Sequence, residues 1–389
     1  MRDAVIVEAV RTPIGKGKAT GALHATHPVD LFAHTLREVV RRSGIDPELI
    51  DDVIGGVVTQ AGEQAANVTR RAVLAAGYPE SVPATTVDRQ CGSSQQAIHF
   101  AAQGVIAGAY DVVVAAGLES MSRIPMGAGV LDASDLDGIA FRERYPEDLV
   151  PQGISAELIA ARWGIDRTAM DEFSLASHEK AAAATKNGAF EPELAPIGGL
   201  TADEGIRVGS TLDTLAGLRP AYYNEQYAAR FPEIGWNVTA ANASQINDGS
   251  AAVLITTSEV AARLGLTPLA RVHSVAVAGD DPLLMLTAVL PATRKVLRRA
   301  GLQLSDIDLV EINEAFASVV LAWQRDTGAD PSRVNVNGGA IALGHPLGAS
   351  GARLATTLVH AMRERGARYG LQTMCEAGGL ANATIYERL

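Results

Sequence analysis

Cysteine is almost missing from this chain: 389 residues contain two, Cys91 and Cys375. Neither belongs to a CxxC pair or lies near a histidine cluster, so zinc-site and dithiol redox motifs are excluded, and no metal is expected. Runs of like charge are also lacking, and the formal net charge is −11. Nucleic-acid binding needs a dense basic face, so none is expected. The opening residues Met1-Arg2-Asp3-Ala4-Val5-Ile6-Val7-Glu8 hold only a short apolar run with acids on both sides. Neither a signal peptide nor a membrane span is expected there. The expected compartment is therefore cytoplasmic, where both thiols stay reduced. Asn-x-Ser/Thr triplets such as Asn67-Val68-Thr69 then carry no glycan.

What the chain does have is length, apolar content and glycine. Its 389 residues favour two or three packed units, and 47% hydrophobic against 20% charged residues suffices for a large core. The first third alternates strand and helix. Residues 4–7 form a β-branched run. Asp30 is placed to cap a helix with apolar face Leu31, Phe32, Leu36, Val39 and Val40, which Gly44 can stop. Residues 53–58 and 111–117 read as further strands, the second continuously apolar as in a sheet buried on both faces. The last third repeats this plan at an offset of 257 residues: Arg41-Arg42-Ser43-Gly44-Ile45 matches Arg298-Arg299-Ala300-Gly301-Leu302, and Ile50-Asp51 matches Ile307-Asp308. An internal duplication into two α/β halves is the reading. Between them, residues 119–246 are irregular, with a Gly/Pro/Asp-rich loop and a helix that Thr168 and Asp171 can open as a capping box.

Three segments carry candidate chemistry. Cys91 follows a strand-like stretch and precedes an Ala-rich helix, where the helix dipole and free N–H groups are expected to lower its pKa. A lone cysteine is otherwise a small buried hydrophobe. His345 stands among five glycines, with Pro346 restricting its backbone, and is the base expected to pair with a nucleophilic cysteine. Cys375 ends a strand and leads into glycines. Asn313 and Glu314 follow the buried run 308–312, where α/β folds place function, though Asn313 equally suits an N-cap. Gly15-Lys16-Gly17-Lys18 lacks Walker spacing and reads as a basic loop.

In chain order, Arg11-Thr12-Pro13-Ile14-Gly15, Gly117-Leu118-Glu119-Ser120-Met121-Ser122, residues 242–252, Asn313-Glu314-Ala315-Phe316-Ala317 and Gly344-His345-Pro346 together resemble the thiolases over essentially the whole chain. The resemblance implies an α/β fold: a layered αβαβα core of two pseudo-symmetric halves, residues 1–118 with 247–268 and residues 269–389, plus an inserted loop domain, 119–246, that binds coenzyme A. It implies acyl transfer between acyl-CoA and acetyl-CoA with CoA as co-substrate and no bound cofactor. Cys91 is then the acyl acceptor, His345 its base, Cys375 the acid/base at the substrate α-carbon, and Asn313 the holder of a water at the enolate oxygen. N–H groups near Cys91 and Ala377, with Gly378 beside them, form a second oxyanion site. Arg219, which is equally a plain surface charge, is a candidate for the nucleotide phosphates, and Ser244 for the pantetheine arm. A homodimer or homotetramer is implied.

The chain departs from the family pattern at Ala377, where the usual motif has Gly, and at Gln245. Residues 221–236 are long and add three tyrosines, Phe231 and Trp236 near the expected groove, which suggests longer or bulkier acyl groups. Within the family the alternative is an acetoacetyl-CoA-forming biosynthetic thiolase; three rival classes are a malonyl-dependent ketoacyl synthase, which has a second His where Cys375 stands, a cysteine hydrolase that passes acyl groups to water, and a non-catalytic scaffold or binding protein of the same fold.

Overall fold

The computed structural model describes residues 2–389. Ten strands form one sheet: β1 (Val5–Arg11), β2 (Gly15–Lys16), β3 (Asp52–Gly56), β4 (Ala84–Val87), β5 (Val112–Ser120), β6 (Asn247–Thr256), β7 (Ala270–Gly279), β8 (Leu309–Ile312), β9 (Tyr369–Glu376) and β10 (Leu380–Glu387). Their order is β4-β3-β5-β6-β1-β7-β10-β9-β8, with β2 paired to β6. The seam between the halves is short, two residue pairs between β1 and β7, Val5 with Arg271 and Ile6 with Ala270.

The duplication is visible in the hydrogen-bond register. Val53 of β3 pairs in parallel with Val114 of β5, and 257 residues later Val310 of β8 pairs in parallel with Leu371 of β9. Each pair continues into an antiparallel partner, β6 or β10. Helix Pro28–Ser43 ends at Gly44 in the left-handed region, and its counterpart Val289–Ala300 ends likewise at Gly301. These two helices cover the outer faces, whereas Ser93–Ala107 and Ser350–Arg365 pack on each other between the sheet halves. The layering is αβαβα.

Local physics places the caps differently from the sequence expectation. His27, not Asp30, caps the first helix: its ring accepts from Val29 N, because Pro28 at the first helical position starts the helix earlier. Asp30 sits in the first turn, where its charge still suits the dipole. The helix Arg167–Lys186 is capped by Asp166, which accepts from Ala169 N at 2.8 Å. Asp171 instead accepts from Arg167 and from Asn242 Nδ2. The segment between β5 and β6 contributes helices and loops, including Gln152–Arg162, and packs over the second half.

Candidate active site

Cys91 is presented by a locked turn. Asp88 Oδ1 accepts from Gln90 N at 2.6 Å, while Ser93 Oγ accepts from Arg89 N and donates to Gln90 O. Gln90 is held at φ 48°, a conformation a non-glycine residue adopts only when its surroundings enforce it. Gly92 follows as N-cap of Ser93–Ala107, and a Cβ there would come within 1.8 Å of a Glu376 carboxylate oxygen. The sulfur packs with Met121, Leu347 and Met374, and the N–H groups of Cys91 itself and of Ala377 donate towards it. Burial nevertheless pushes this thiol up to about 12, with Glu376 adding to the effect. The lowered pKa expected from the helix start is therefore overturned: desolvation outweighs the dipole.

The imidazole of His345 is equally fixed. The backbone N–H of His345 donates to Asn247 Oδ1 at 3.0 Å, and Asn247 Nδ2 donates to Gly15 O. Gly344, at φ 115°, lets the chain pass Asn247 where a Cβ would clash at 2.4 Å. Nδ1 lies 2.6 Å from Ser350 Oγ, whose own hydrogen goes to Pro346 O. Ser350 therefore accepts, Nδ1 carries the ring proton, and Nε2 is left with a lone pair facing Asn313 Nδ2 at 3.3 Å. Burial, helped by Arg353, holds this histidine down at about 3, so the ring is neutral.

Asn313 lies directly after β8, and the following helix starts only at Ala317, capped at Phe316, so the N-cap alternative fails. Its Oδ1 is buried without a protein partner, as a position for a bound water would be. Cys375, in β9, is buried, and burial followed by the nearness of Cys91 raises its pKa. The two thiols therefore lie near each other, and Leu347, two residues after His345, packs with Cys91.

Buried polar residues beyond the thiols and the imidazole hold this frame. Glu119 is wholly buried and accepts from Val58 N, Thr59 N, Gln64 Nε2 and Gly348 N, tying the first half to the His345 loop. Glu314 accepts from Ser177 Oγ, Asn335 Nδ2 and Ile341 N. Glu311 and Arg353 face each other at 4.0 Å, both buried. The bonding role of Glu119 escapes sequence reasoning because a buried glutamate shows it only through partners far along the chain, such as Gly348.

A cleft of about 440 Å³ opens onto His345 and Leu347, and Met121, Met126, Tyr222, Ser244 and Phe316 also line it. Leu347 and Met121 touch Cys91, so the thiol lies just beneath the cleft floor. Of the aromatics in 221–236 only Tyr222 reaches the cleft. Tyr223 and Trp236 meet edge to face outside it. Gln245 lines the cleft, yet its amide is used structurally, donating to Gly205 O and Ile341 O. Arg219 is exposed and does not line the cleft. Gly378 and Gly379 take left-handed angles but Ala377 does not, so alanine fits there without strain.

This duplicated α/β frame, with two thiols and a neutral imidazole beneath a cleft, defines an acyltransferase. Family models agree: one described as Thiolase, N-terminal domain, matches residues 4–259, and one described as Thiolase, C-terminal domain, matches residues 266–388. The chain is 47% identical to the steroid 3-ketoacyl-CoA thiolase FadA6 of Mycobacterium tuberculosis, covering all of this chain and 95% of that protein. It is 40% identical to a 3-ketoacyl-CoA thiolase of Bacillus subtilis, with full coverage of both. The solved acetyl-CoA acetyltransferase of Bacillus anthracis superposes with a TM-score of 0.88 at 38% identity, covering all of this chain and 99% of that one. Human mitochondrial 3-ketoacyl-CoA thiolase superposes with the same TM-score at 35% identity and the same coverage. This chain belongs to the thiolase family.

Proposed function

We propose that this protein cleaves 3-ketoacyl-CoA by thiolysis through an acyl-enzyme on Cys91, in lipid degradation. The observation that supports the reading is a pair of neighbouring buried thiols, Cys91 and Cys375, below a cleft lined by His345, whose Nε2 keeps its lone pair. The thiol is unionised at rest, so attack on the ketone is coupled to transfer of its proton to Nε2. The N–H groups of Cys91 and Ala377 receive the oxygen that becomes negative. The C–C bond then breaks, and its electron pair leaves as the enolate of acetyl-CoA. His345 and a water on Asn313 stabilise the enolate oxygen, and Cys375 delivers the α-proton. CoA enters, gives its thiol proton to the Cys375 thiolate and attacks the acyl thioester; the acyl–Cys91 bond breaks, and the Cys91 sulfur regains its proton from His345. Met121, Met126 and Tyr222 leave room for a bulky acyl group, in keeping with the steroid-acting relative.

Acyl-CoA, acetyl-CoA and CoA are the partners of this reading, with Ser244 along the pantetheine arm. A cytoplasmic homo-oligomer is part of it: both cysteines are free, and β4 leaves one edge of the sheet unpaired and half-exposed. No helix among the described residues is long and apolar enough to cross a membrane.

The test is intact-protein mass spectrometry after mixing with 3-ketoacyl-CoAs of several sizes. An acyl adduct lost in Cys91→Ser is expected. Turnover with a malonyl thioester but not with acetyl-CoA overturns the reading in favour of a ketoacyl synthase. Acyl-CoA consumption without added CoA overturns it in favour of a hydrolase.

A further inference from the structure

The basic loop Gly15-Lys16-Gly17-Lys18 finds no use in the chemistry above, yet Lys16, Gly17 and Lys18 line the same cleft as His345. Arg207, from a segment far along the chain, lines it with them. In a chain of net charge −11, three cations at one cleft need a reason. All three side chains are exposed, and among the described residues none forms an ion pair or donates a side-chain hydrogen bond.

Neither nearby acid forms an ion pair with them, because the carboxylates of both are bonded elsewhere. Asp203 accepts from the Arg11 guanidinium at 2.7 Å and from Ile14 N at 2.8 Å. Glu204 turns its carboxylate onto Lys16 N and Ala22 N, at 2.9 and 3.0 Å. The same bonds lock the two loops together, as do Glu204 N on Ile14 O and Gly17 N on Ile246 O. Arg207 N in turn donates to His178 Nδ1. The backbone that presents the cations is therefore fixed before any ligand arrives, while their charged ends remain free. Fixed carriers with unpaired like charges at a cleft form a site for an anion, since an opposite charge is the partner they lack.

We propose that Lys16, Lys18 and Arg207 form an anion-binding subsite that engages a negatively charged group of the acyl-CoA, either a carboxylate at the far end of the acyl chain or a phosphate of CoA. This rests on the thiolase reading of the cleft and extends it to the charge of the ligand. The cations share the cleft with the reacting end, so the subsite acts on KM and on substrate choice.

Kinetics on the full chain test it. Wild type and Lys16→Ala/Lys18→Ala/Arg207→Ala are compared on a medium-length 3-ketoacyl-CoA and on the same chain ending in a carboxylate, with CoA or pantetheine as the accepting thiol. If the anion is the acyl carboxylate, the preference for the carboxylated substrate falls about tenfold at low salt in the variant, each exposed pair supplying a fraction of that step. If it is a phosphate, the preference for CoA over pantetheine falls instead, by a similar factor. Either change should fade as salt is raised. Both preferences staying within twofold of wild type overturns the subsite. The thiolase reading stands apart from this outcome: it fails only if wild type gives no Cys91 adduct with the neutral substrate.

Discussion

Glu119 and Glu376 stand at the same place in the two halves, near the ends of β5 and β9, 257 residues apart. Both are wholly buried. Glu119 accepts four hydrogen bonds, whereas neither side-chain oxygen of Glu376 has a partner. One of the Glu119 donors is Gly348 N, and the residue at the matching place in the first half is Cys91, whose N–H points towards its own sulfur. Burial accordingly raises the Glu376 carboxyl well above the usual range, which disfavours a negative charge beside the nucleophile. The difference teaches how a duplicated frame divides its labour. The first copy spends its buried carboxylate on holding loops, and the second frees the same N–H for chemistry.

The largest effect belongs to the nucleophile. Cys91→Ser should lower kcat by about 10⁴-fold or more, read in a thiolysis assay, because the acyl-enzyme route depends on this sulfur. Next comes the pair of glutamates. Glu119→Ala leaves several buried donors orphaned and should cost about 3–5 kcal/mol in denaturant unfolding. Glu376→Gln should be neutral or mildly stabilising, since it replaces a carboxyl that has no partners. Equal losses at both positions would break the comparison. Asn313→Ala removes the amide facing His345 Nε2 and should reduce kcat about 10²–10³-fold with little change in KM.

The pH behaviour sharpens the same contrast. With Cys91 pushed up to about 12, the thiolate fraction grows with every pH unit through the working range, so its alkylation by iodoacetamide should climb without a plateau up to pH 9. A plateau between pH 5 and 8 would show a depressed thiol and reverse the assignment of desolvation as the stronger force. His345, held at about 3, stays neutral above that value and should add no acid limb to kcat between pH 5 and 8. The smallest effect is Ala377→Gly, expected to change kcat less than twofold, because position 377 needs no left-handed angle.

The fold was largely legible, since the offset that relates Gly44 to Gly301 in the sequence also relates the strand registers. Cys91, His345, Cys375 and Asn313 were legible too, each marked by glycines or by a strand exit. The ionisation of Cys91 was not. A helix start is a local signal, but burial by Met121, Leu347 and Met374 depends on three distant segments. The cap residues slipped by a few positions where Pro28 or Asp166 offered an earlier start.

The strand β10 enters the sheet between β7 and β9, although it follows both in the chain. An emerging polypeptide on the ribosome therefore holds Cys91 long before the wall carrying Cys375 can be built. Thioester chemistry has to wait for that late insertion, and a truncated product would carry a nucleophile without its second thiol.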